Sequence, residues 1–171
     1  MTFIYVLIAV GSLNHLTSYM YDRSPTGSIA MSGVKDLTEN RSLRADQANI
    51  AFTWSADFTS EFNWNSNQLF VYVVAEYETD KKKRNQVTLY DTILKSPKEA
   101  VIKNQTVVNE YPLRDQFKGQ LFGKEVKLVV YYMRMPLYGF MEKKVLCESE
   151  AFALPGEYKR GDANVGKGRR A

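Results

Sequence analysis

Residues 69–77, LFVYVVAEY, contain one charged side chain and neither glycine nor proline. β-Branched and aromatic residues dominate this stretch, which predicts a strand. Its two alternating sets of side chains are both largely apolar, so the strand should be covered on both faces. The preceding turn, Glu61–Gln68, places Trp64 among asparagines. Because this turn flanks an internal strand, we expect Trp64 to lie in the core, with a subunit interface as the alternative.

Other segments after residue 49 carry the same kind of pattern. In residues 50–58 the even positions are apolar, while positions 53, 55 and 57 are polar, as in a half-buried strand. Cys147 falls on the apolar side of its segment and is predicted to be a core thiol. Short strands separated by turns predict an antiparallel β-sandwich. Its further strands are expected over residues 86–94, 100–108, 125–133 and 144–154.

The N-terminal segment Phe3–Tyr21 has no charged residue. As a helix of about 1.5 Å per residue it would roughly match a bilayer core of about 30 Å, which favours a transmembrane anchor. A cleaved signal peptide and a buried soluble helix are the alternatives, and no basic residue precedes the apolar run, which argues against the signal peptide. Asn14 and His15 are costly against lipid and are expected to make polar contacts, for example with a partner helix.

The net charge of +4 comes entirely from the C-terminal residues 159–171, which hold five basic residues and one acidic residue. A neutral body with a basic end is a poor nucleic-acid footprint. The predicted organisation is therefore an anchor over 1–21, a connector over 22–48 with room for one short strand around Ser28–Val34, a β-sandwich over 49–158 and a basic flexible tail over 159–171.

Catalytic residue types are scarce. The chain has one cysteine and one histidine, His15, which lies outside the predicted domain. Such a domain has no Ser-His or Cys-His pair and no histidine-containing metal site. Asp57 with Glu61 or Asp91 could form a carboxylate pair for acid–base catalysis. The alternation of the strand, however, puts Asp57 on the polar, solvent-exposed face. The residues imply no cofactor or metal, and they favour recognition or assembly over catalysis.

Two Asn-X-Ser/Thr triplets, at Asn40 and Asn104, are possible N-glycosylation sites and weakly favour a luminal location.

An ordered series of short motifs resembles the signal peptidase complex subunit 3 family, a glycoprotein subunit of the endoplasmic-reticulum signal peptidase. The resemblance covers about Ile50 to Tyr158, and the closing Leu154–Tyr158 belongs to it. The other motifs are Ala51–Asp57, Phe62–Asn65, Gln68–Phe70, Ala75–Tyr77 and Asn85–Val87 with Asp91. From them we take as structural or interface candidates Trp54, Phe62, Trp64, Gln68, Phe70 and Tyr77.

This resemblance implies a single-pass type II protein of the endoplasmic-reticulum membrane, with one N-terminal transmembrane helix and a mainly β luminal sandwich. It implies a non-catalytic accessory subunit that supports a separate catalytic serine protease subunit in removing signal peptides. Its partners would be that subunit, the other subunits of the complex and, through the complex, preproteins that carry signal peptides. The alternative is a secreted or surface β-sandwich binding module, released by signal-peptide cleavage near residue 20.

Overall fold

The computed structural model describes residues 2–20, 24–40 and 42–160, apart from the side chain of Tyr19. Its single α-helix, α1, spans Thr2–Thr17 and is followed by a 3₁₀ turn at Ser18–Met20. The helix is apolar on all sides, and its large side chains from Phe3 to Leu16 are exposed.

No helix in the described residues is both long enough and apolar enough to cross a membrane.

Apart from two further 3₁₀ turns, at Thr59–Glu61 and Pro97–Glu99, the regular structure in the rest of the described chain consists of antiparallel strands in two sheets. The first sheet has the order β1-β2-β5, with the short β6 paired to β2, and the second has the order β4-β3-β7-β8, with β9 paired to β7. The strands are β1 Thr26–Asn40, β2 Ala45–Asp57, β3 Ser66–Tyr77, β4 Asn85–Leu94, β5 Val101–Val108, β6 Leu113–Arg114, β7 Glu125–Pro136, β8 Glu142–Glu148 and β9 Phe152–Ala153.

The hydrophobic core lies between these sheets, which confirms the sandwich expected from the alternating pattern. Phe52 and Trp54 of β2 face the core, and the Trp54 ring meets Tyr90 edge-on at 6.1 Å between centroids. Leu69, Val71 and Val73 of β3 are each at most 1% exposed. Burying one such large side chain stabilises the fold by roughly 1.5–3 kcal/mol, so the inward face of β3 is a major part of the core.

The strand in the segment predicted as a connector is longer than expected, because residues 26–40 form β1 where only a short strand around Ser28–Val34 was considered. It pairs with β2 from Thr26 opposite Asp57 to Asn40 opposite Ala45. Two register shifts, between Met31 and Gly33 and between Val34 and Asp36, interrupt it. A β-bulge adds a residue on one strand and so breaks the period-2 pattern that would otherwise reveal a strand.

The first residue of the predicted tail, Lys159, belongs to the folded domain. The backbone of Lys159 exchanges two hydrogen bonds with Leu37 of β1, at 2.7 and 2.9 Å, so Lys159 is part of the fold. The expectation for the tail beyond Arg160 lies outside the described residues.

Candidate protein interface

The outward face of the second sheet is aromatic and apolar. Phe70 of β3 lies opposite Ile93 of β4 and Met133 of β7, so the three share one face. Two residues along β3 on the same face, Tyr72 lies opposite Tyr131 of β7, which in turn lies opposite Val145 of β8. We call this surface the aromatic face; its residues are Phe70, Tyr72, Ile93, Tyr131, Met133 and Val145.

The rings of the aromatic face stack along and across the strands. The centroids of Phe70 and Tyr72 are 5.3 Å apart, and those of Tyr72 and Tyr131 are 5.5 Å apart, with ring planes inclined by 29° and 20°. Ile93 and Val145, at the two sides of the face, are 44% and 49% exposed. Apolar surface of this kind on a sheet is typical of a protein-binding site.

Charged groups also lie on this face, since Asp91 is opposite Tyr72 and Lys143 is opposite Met133. The hydroxyl of Tyr131 donates a hydrogen bond to Glu76 at 2.8 Å, and this bond raises the pKa of Tyr131. The ammonium of Lys143 lies 4.0 Å from the centroid of the Tyr131 ring, in cation–π geometry. The tyrosine is therefore held in one orientation, which lowers the entropy cost of presenting it to a partner.

The outward face of the first sheet is chemically different. The hydroxyl of Thr53 lies 2.8 Å from that of Ser32 and 2.9 Å from that of Thr106, forming a polar ladder across β1, β2 and β5. Short hydroxyl side chains of this kind are ordinary solvent-facing residues of a sheet. The outward face of the second sheet is therefore the candidate interface, and the outward face of the first sheet is an ordinary solvated surface.

The predicted candidates fall into two groups. Trp54 and Tyr77 are buried at 1% and 5% exposure, and Phe62 packs against the same core. The hydroxyl of Tyr77 donates a hydrogen bond to Asp115 at 3.1 Å. Gln68 and Phe70 do not face the core, and the Gln68 amide donates to the sulfur of Met135 at 3.1 Å.

The expectation that Trp64 lies in the core is wrong, because its side chain is 44% exposed. The turn is held by its asparagines instead. Asn63 accepts the backbone N–H of Asn65, and Asn65 is 1% exposed and bonds to Tyr138. Since the polar side chains fix the turn, the indole is left at the surface.

The β7–β8 connection, Leu137–Met141, lies against α1 and includes Tyr138, a neighbour of the helix. We call this connection the apolar hairpin. The rings of His15 and Phe140 meet edge-on at 6.0 Å between centroids. A Cβ on Gly11 would come within 2.4 Å of the Tyr138 ring. The half-buried Asn14 and His15 thus lie on the part of α1 that faces this chain's own hairpin, where a partner helix was the expectation.

Both possible glycosylation asparagines are in described positions. Asn40 ends β1 and accepts the backbone N–H of Leu43 at 3.2 Å, although Arg41 of its triplet lies outside the described residues. Asn104 is exposed on β5, and its side-chain oxygen accepts the hydroxyl of Ser55 at 2.8 Å. Their modification stays a prediction.

Asp57 and Glu61, considered above as a carboxylate pair, lie in different environments. Asp57 is exposed, as alternation predicted, and the hydrogen bonds from Thr59 lower its pKa. Glu61 is 1% exposed and accepts the hydroxyl of Tyr132 at 2.9 Å. In the described ranges, no three His, Cys, Asp or Glu side chains come together in a way that could hold a metal ion.

Of the residues on the aromatic face, Phe70 was predicted from the sequence as a candidate, whereas Tyr72, Tyr131 and Met133 were not. A signal was present, since both β3 and β7 carry apolar residues at odd and even positions. That pattern was interpreted as two covered faces, whereas the outer one leaves Ile93 and Val145 exposed and its rings half-buried.

Known proteins resemble this chain over most of its length. Residues 1–157 match the profile of the family described as "Signal peptidase subunit". Signal peptidase complex subunit 3 of Caenorhabditis elegans is 34% identical over 112 residues, covering 66% of this chain and 61% of the relative. The protein of the same name from Saccharomyces cerevisiae is 33% identical over 59% of this chain and 55% of its own length. The Dictyostelium discoideum protein of that name is 28% identical over 91% of this chain and 88% of its length. The first two alignments thus span less than two thirds of those relatives. The chain belongs to the signal peptidase subunit family.

Proposed function

We propose that this chain is a non-catalytic accessory subunit of the signal peptidase complex, held in the endoplasmic-reticulum membrane by its N-terminal segment with the sandwich on the luminal side. In this role it supports the catalytic serine protease subunit while signal peptides are removed. The family match supports membership of such a complex. The observation that carries the proposed role is the aromatic face, which has the composition of an interface and whose side residues Ile93 and Val145 are 44% and 49% exposed.

The character of α1 supports the membrane anchor. A helix that is apolar all round belongs in a protein core or in a membrane, and α1 exposes its apolar side chains rather than burying them in the sandwich. Its 16 residues correspond to about 24 Å. That length is about 3 Å less than the relatively thin hydrocarbon core of the endoplasmic-reticulum membrane, and local thinning of the bilayer accommodates a shortfall of this size at fractions of a kcal/mol per Å.

Contacts between α1 and the apolar hairpin favour an anchor over a cleaved signal peptide. Removal of about twenty residues would uncover the rings of Tyr138 and Phe140, which now lie against Gly11 and His15. A released module would then expose additional apolar surface to water, at a cost of roughly 25 cal/mol per Å².

Affinity purification of the C-terminally tagged full chain in mild detergent tests the proposal. We expect a membrane serine protease subunit in the eluate, and we expect that eluate to remove the signal peptide of a preprotein. Substituting the partner's serine should abolish cleavage. A chain that elutes alone from an aqueous extract, without its first twenty residues, would instead establish the secreted binding module.

A matched pair of variants tests the aromatic face itself. Ile93→Glu/Val145→Glu places two charges on this face at residues 44% and 49% exposed. The control, Val101→Glu/Val108→Glu, places two charges on β5. Val101 and Val108 are 44% and 47% exposed, so their exposure matches that of the first pair. A charge buried without a partner weakens an interface, so we expect about tenfold lower recovery of the catalytic subunit for the first pair only. Equal recovery from both pairs would exclude this face as the interface.

A further inference from the structure

The tip of the apolar hairpin has an unusual composition for a surface turn. Leu137, Tyr138, Phe140 and Met141 are 69%, 44%, 78% and 64% exposed. No charged residue lies between Met135 and Met141. Turns that face water are normally built from Gly, Asn, Asp, Ser and Pro, so this tip is suited to an apolar environment.

The hairpin is held firmly by the sandwich. The side-chain amide of Asn65 donates to the Tyr138 carbonyl at 2.9 Å and accepts the Tyr138 N–H at 3.0 Å. The N–H of Leu137 donates to the Asn65 carbonyl at 2.8 Å. Since Asn65 is 1% exposed, these bonds are shielded from water, and the tip projects from a fixed base.

The hairpin also has a defined height on α1. Tyr138 lies at Gly11, and Gly139 lies so close to His15 that an added Cβ would be 2.2 Å from the ring. Gly11 precedes Thr17, the last residue of α1, by six residues, which is about 9 Å along the axis. The Phe140 ring meets His15, which precedes Thr17 by two residues, about 3 Å. If α1 spans the bilayer, the apolar hairpin therefore lies between about 3 and 9 Å below the end of the helix, in the layer that interfacial apolar segments occupy.

Trp64 gives an independent indication at the same place. It is 44% exposed and adjoins Asn65, the residue that holds the hairpin. Tryptophan and tyrosine are enriched where membrane meets water, because their rings are apolar and their N–H and O–H groups are polar. An exposed Trp64 beside an exposed Tyr138 fits that environment.

We propose that the apolar hairpin and Trp64 form a second membrane contact, inserted in the interfacial layer of the bilayer beside α1. This inference rests on the proposed membrane anchor. The consequence is mechanical, because a domain joined to one helix can rotate about it, whereas a domain with two contacts is fixed in height and orientation. The aromatic face would then be presented to its partner in one orientation above the membrane.

Site-directed nitroxide labels on the full chain, reconstituted in phosphatidylcholine–phosphatidylethanolamine liposomes, test this. Cys147→Ala removes the chain's single cysteine, and Phe140→Cys then places one label at the tip. Leu7→Cys on α1 reports the anchor. Leu43→Cys is the matched water-exposed control; its residue is 57% exposed.

Topology places Leu43 far from the hairpin. The β1–β2 pairing starts with Thr26 opposite Asp57, at the end of the sandwich where Ser66 pairs with Pro136, and closes with Asn40 opposite Ala45. At about 3.3 Å per residue, the 15 residues of β1 separate these ends by roughly 45 Å.

We expect the labels at positions 140 and 7 to be accessible to oxygen and at least fivefold less accessible to a water-soluble nickel chelate than the label at position 43. If position 7 is shielded but position 140 behaves like position 43, the hairpin contact is wrong and the anchor stands. If position 7 is also open to nickel, the anchor fails and this inference fails with it. A label at 140 that is shielded from both reagents would show that protein, not lipid, covers the tip.

Intrinsic fluorescence gives a second reading without labels. The emission of Trp64 is obtained as the difference between the parent chain and Trp64→Phe. Brominated lipids should quench this emission, whereas they should not quench the emission of the buried Trp54. Absence of quenching at Trp64 in liposomes that retain the chain would overturn its part of the proposal.

Discussion

The hydroxyl of Tyr158 donates a 3.0 Å hydrogen bond to the carboxylate of Asp46, a residue 112 positions earlier in the sequence. Asp46 is fully buried, and its second oxygen accepts the N–H of Leu121 at 3.2 Å. One carboxylate therefore joins the start of β2, the loop before β7 and the C-terminal end of the described fold.

Tyr158→Phe removes one bond to this buried carboxylate and should lower the free energy of unfolding by about 1–2 kcal/mol. Chemical denaturation of the full chain in detergent, followed by circular dichroism, measures the change. Tyr138→Phe is the control, since Tyr138 is 44% exposed, close to the 41% of Tyr158, and its hydroxyl makes no hydrogen bond within the described residues. Equal losses in the two variants would contradict the role given to the Tyr158–Asp46 bond.

Alkaline pH should destabilise the fold. Burial and the hydrogen bond to Asp46 raise the pKa of Tyr158 to about 12, from 10.0. Burial raises the pKa of Cys147 to about 11, from 9.0. Each group ionises first in the unfolded chain, so its contribution is complete below the unfolded pKa and is lost as pH rises to the folded pKa. Stability should fall from about pH 9 upward, and Cys147→Ala should flatten the fall between pH 9 and 11. An unchanged slope in that variant would mean that the thiol titrates alike in both states.

The raised pKa of Cys147 also predicts that its thiol is alkylated slowly. With its pKa raised by about two units, Cys147 has about a hundredfold less thiolate at pH 8, so alkylation by iodoacetamide should be slower by about that factor. The comparison is Leu43→Cys in a Cys147→Ala background, because residue 43 is 57% exposed. Equal alkylation rates would show that Cys147 is open to solvent and would remove its placement against the core.

Arg134 and Glu142 should respond unequally to substitution. Arg134 is 2% exposed, and the nearer guanidinium nitrogen lies 3.7 Å from the carboxylate of Glu142, which is 28% exposed. Glu142→Ala leaves a buried cation without this neighbour and should cost about 3 kcal/mol, whereas Arg134→Met leaves a carboxylate that water can reach and should be close to neutral. Thermal unfolding of both variants measures this, and a larger loss for Arg134→Met would reverse the interpretation.

A branched side chain at Gly11 should disturb the contact between α1 and the apolar hairpin. A Cβ there would lie 2.4 Å from the Tyr138 ring, so Gly11→Val should push the hairpin away from the helix. Hydrogen exchange of the Leu137 and Tyr138 amides, now bonded to Asn65, should become faster. Ser12→Val, at an exposed neighbouring position, should leave the exchange unchanged. Equal exchange in both variants would show that the helix does not contact the hairpin in solution.

The sequence was sufficient for the strands whose alternation is intact. In β2 the even positions Ile50 to Phe58 are apolar and buried, because a strand turns successive side chains to opposite faces. In β1 the register shifts at Gly33 and Asp36 break that period, so only its pairing with β2 reveals the full length of the strand. Local pattern is informative where local geometry is regular.

The candidate interface was predictable in part. Both faces of Leu69–Tyr77 are apolar in the sequence, but the sequence alone does not say what covers each face. The structure places Leu69, Val71 and Val73 in the core and leaves Phe70 and Tyr72 facing outward beside Tyr131. Which face packs inside depends on cross-strand partners 60 residues away in sequence, such as Tyr131 opposite Tyr72.

The sequence by itself determined the residue types: a charge-free N-terminal segment, a body with neither histidine nor paired cysteines, and a series of alternating β segments. These follow from composition and short-range period, which need no knowledge of distant contacts. Only the tertiary structure decided that Trp54 is buried while Trp64 is exposed, and that the hairpin around Tyr138 lies on Gly11 of α1. Both outcomes depend on contacts between segments far apart in the chain, and burial is set by those contacts rather than by the residue's own chemistry.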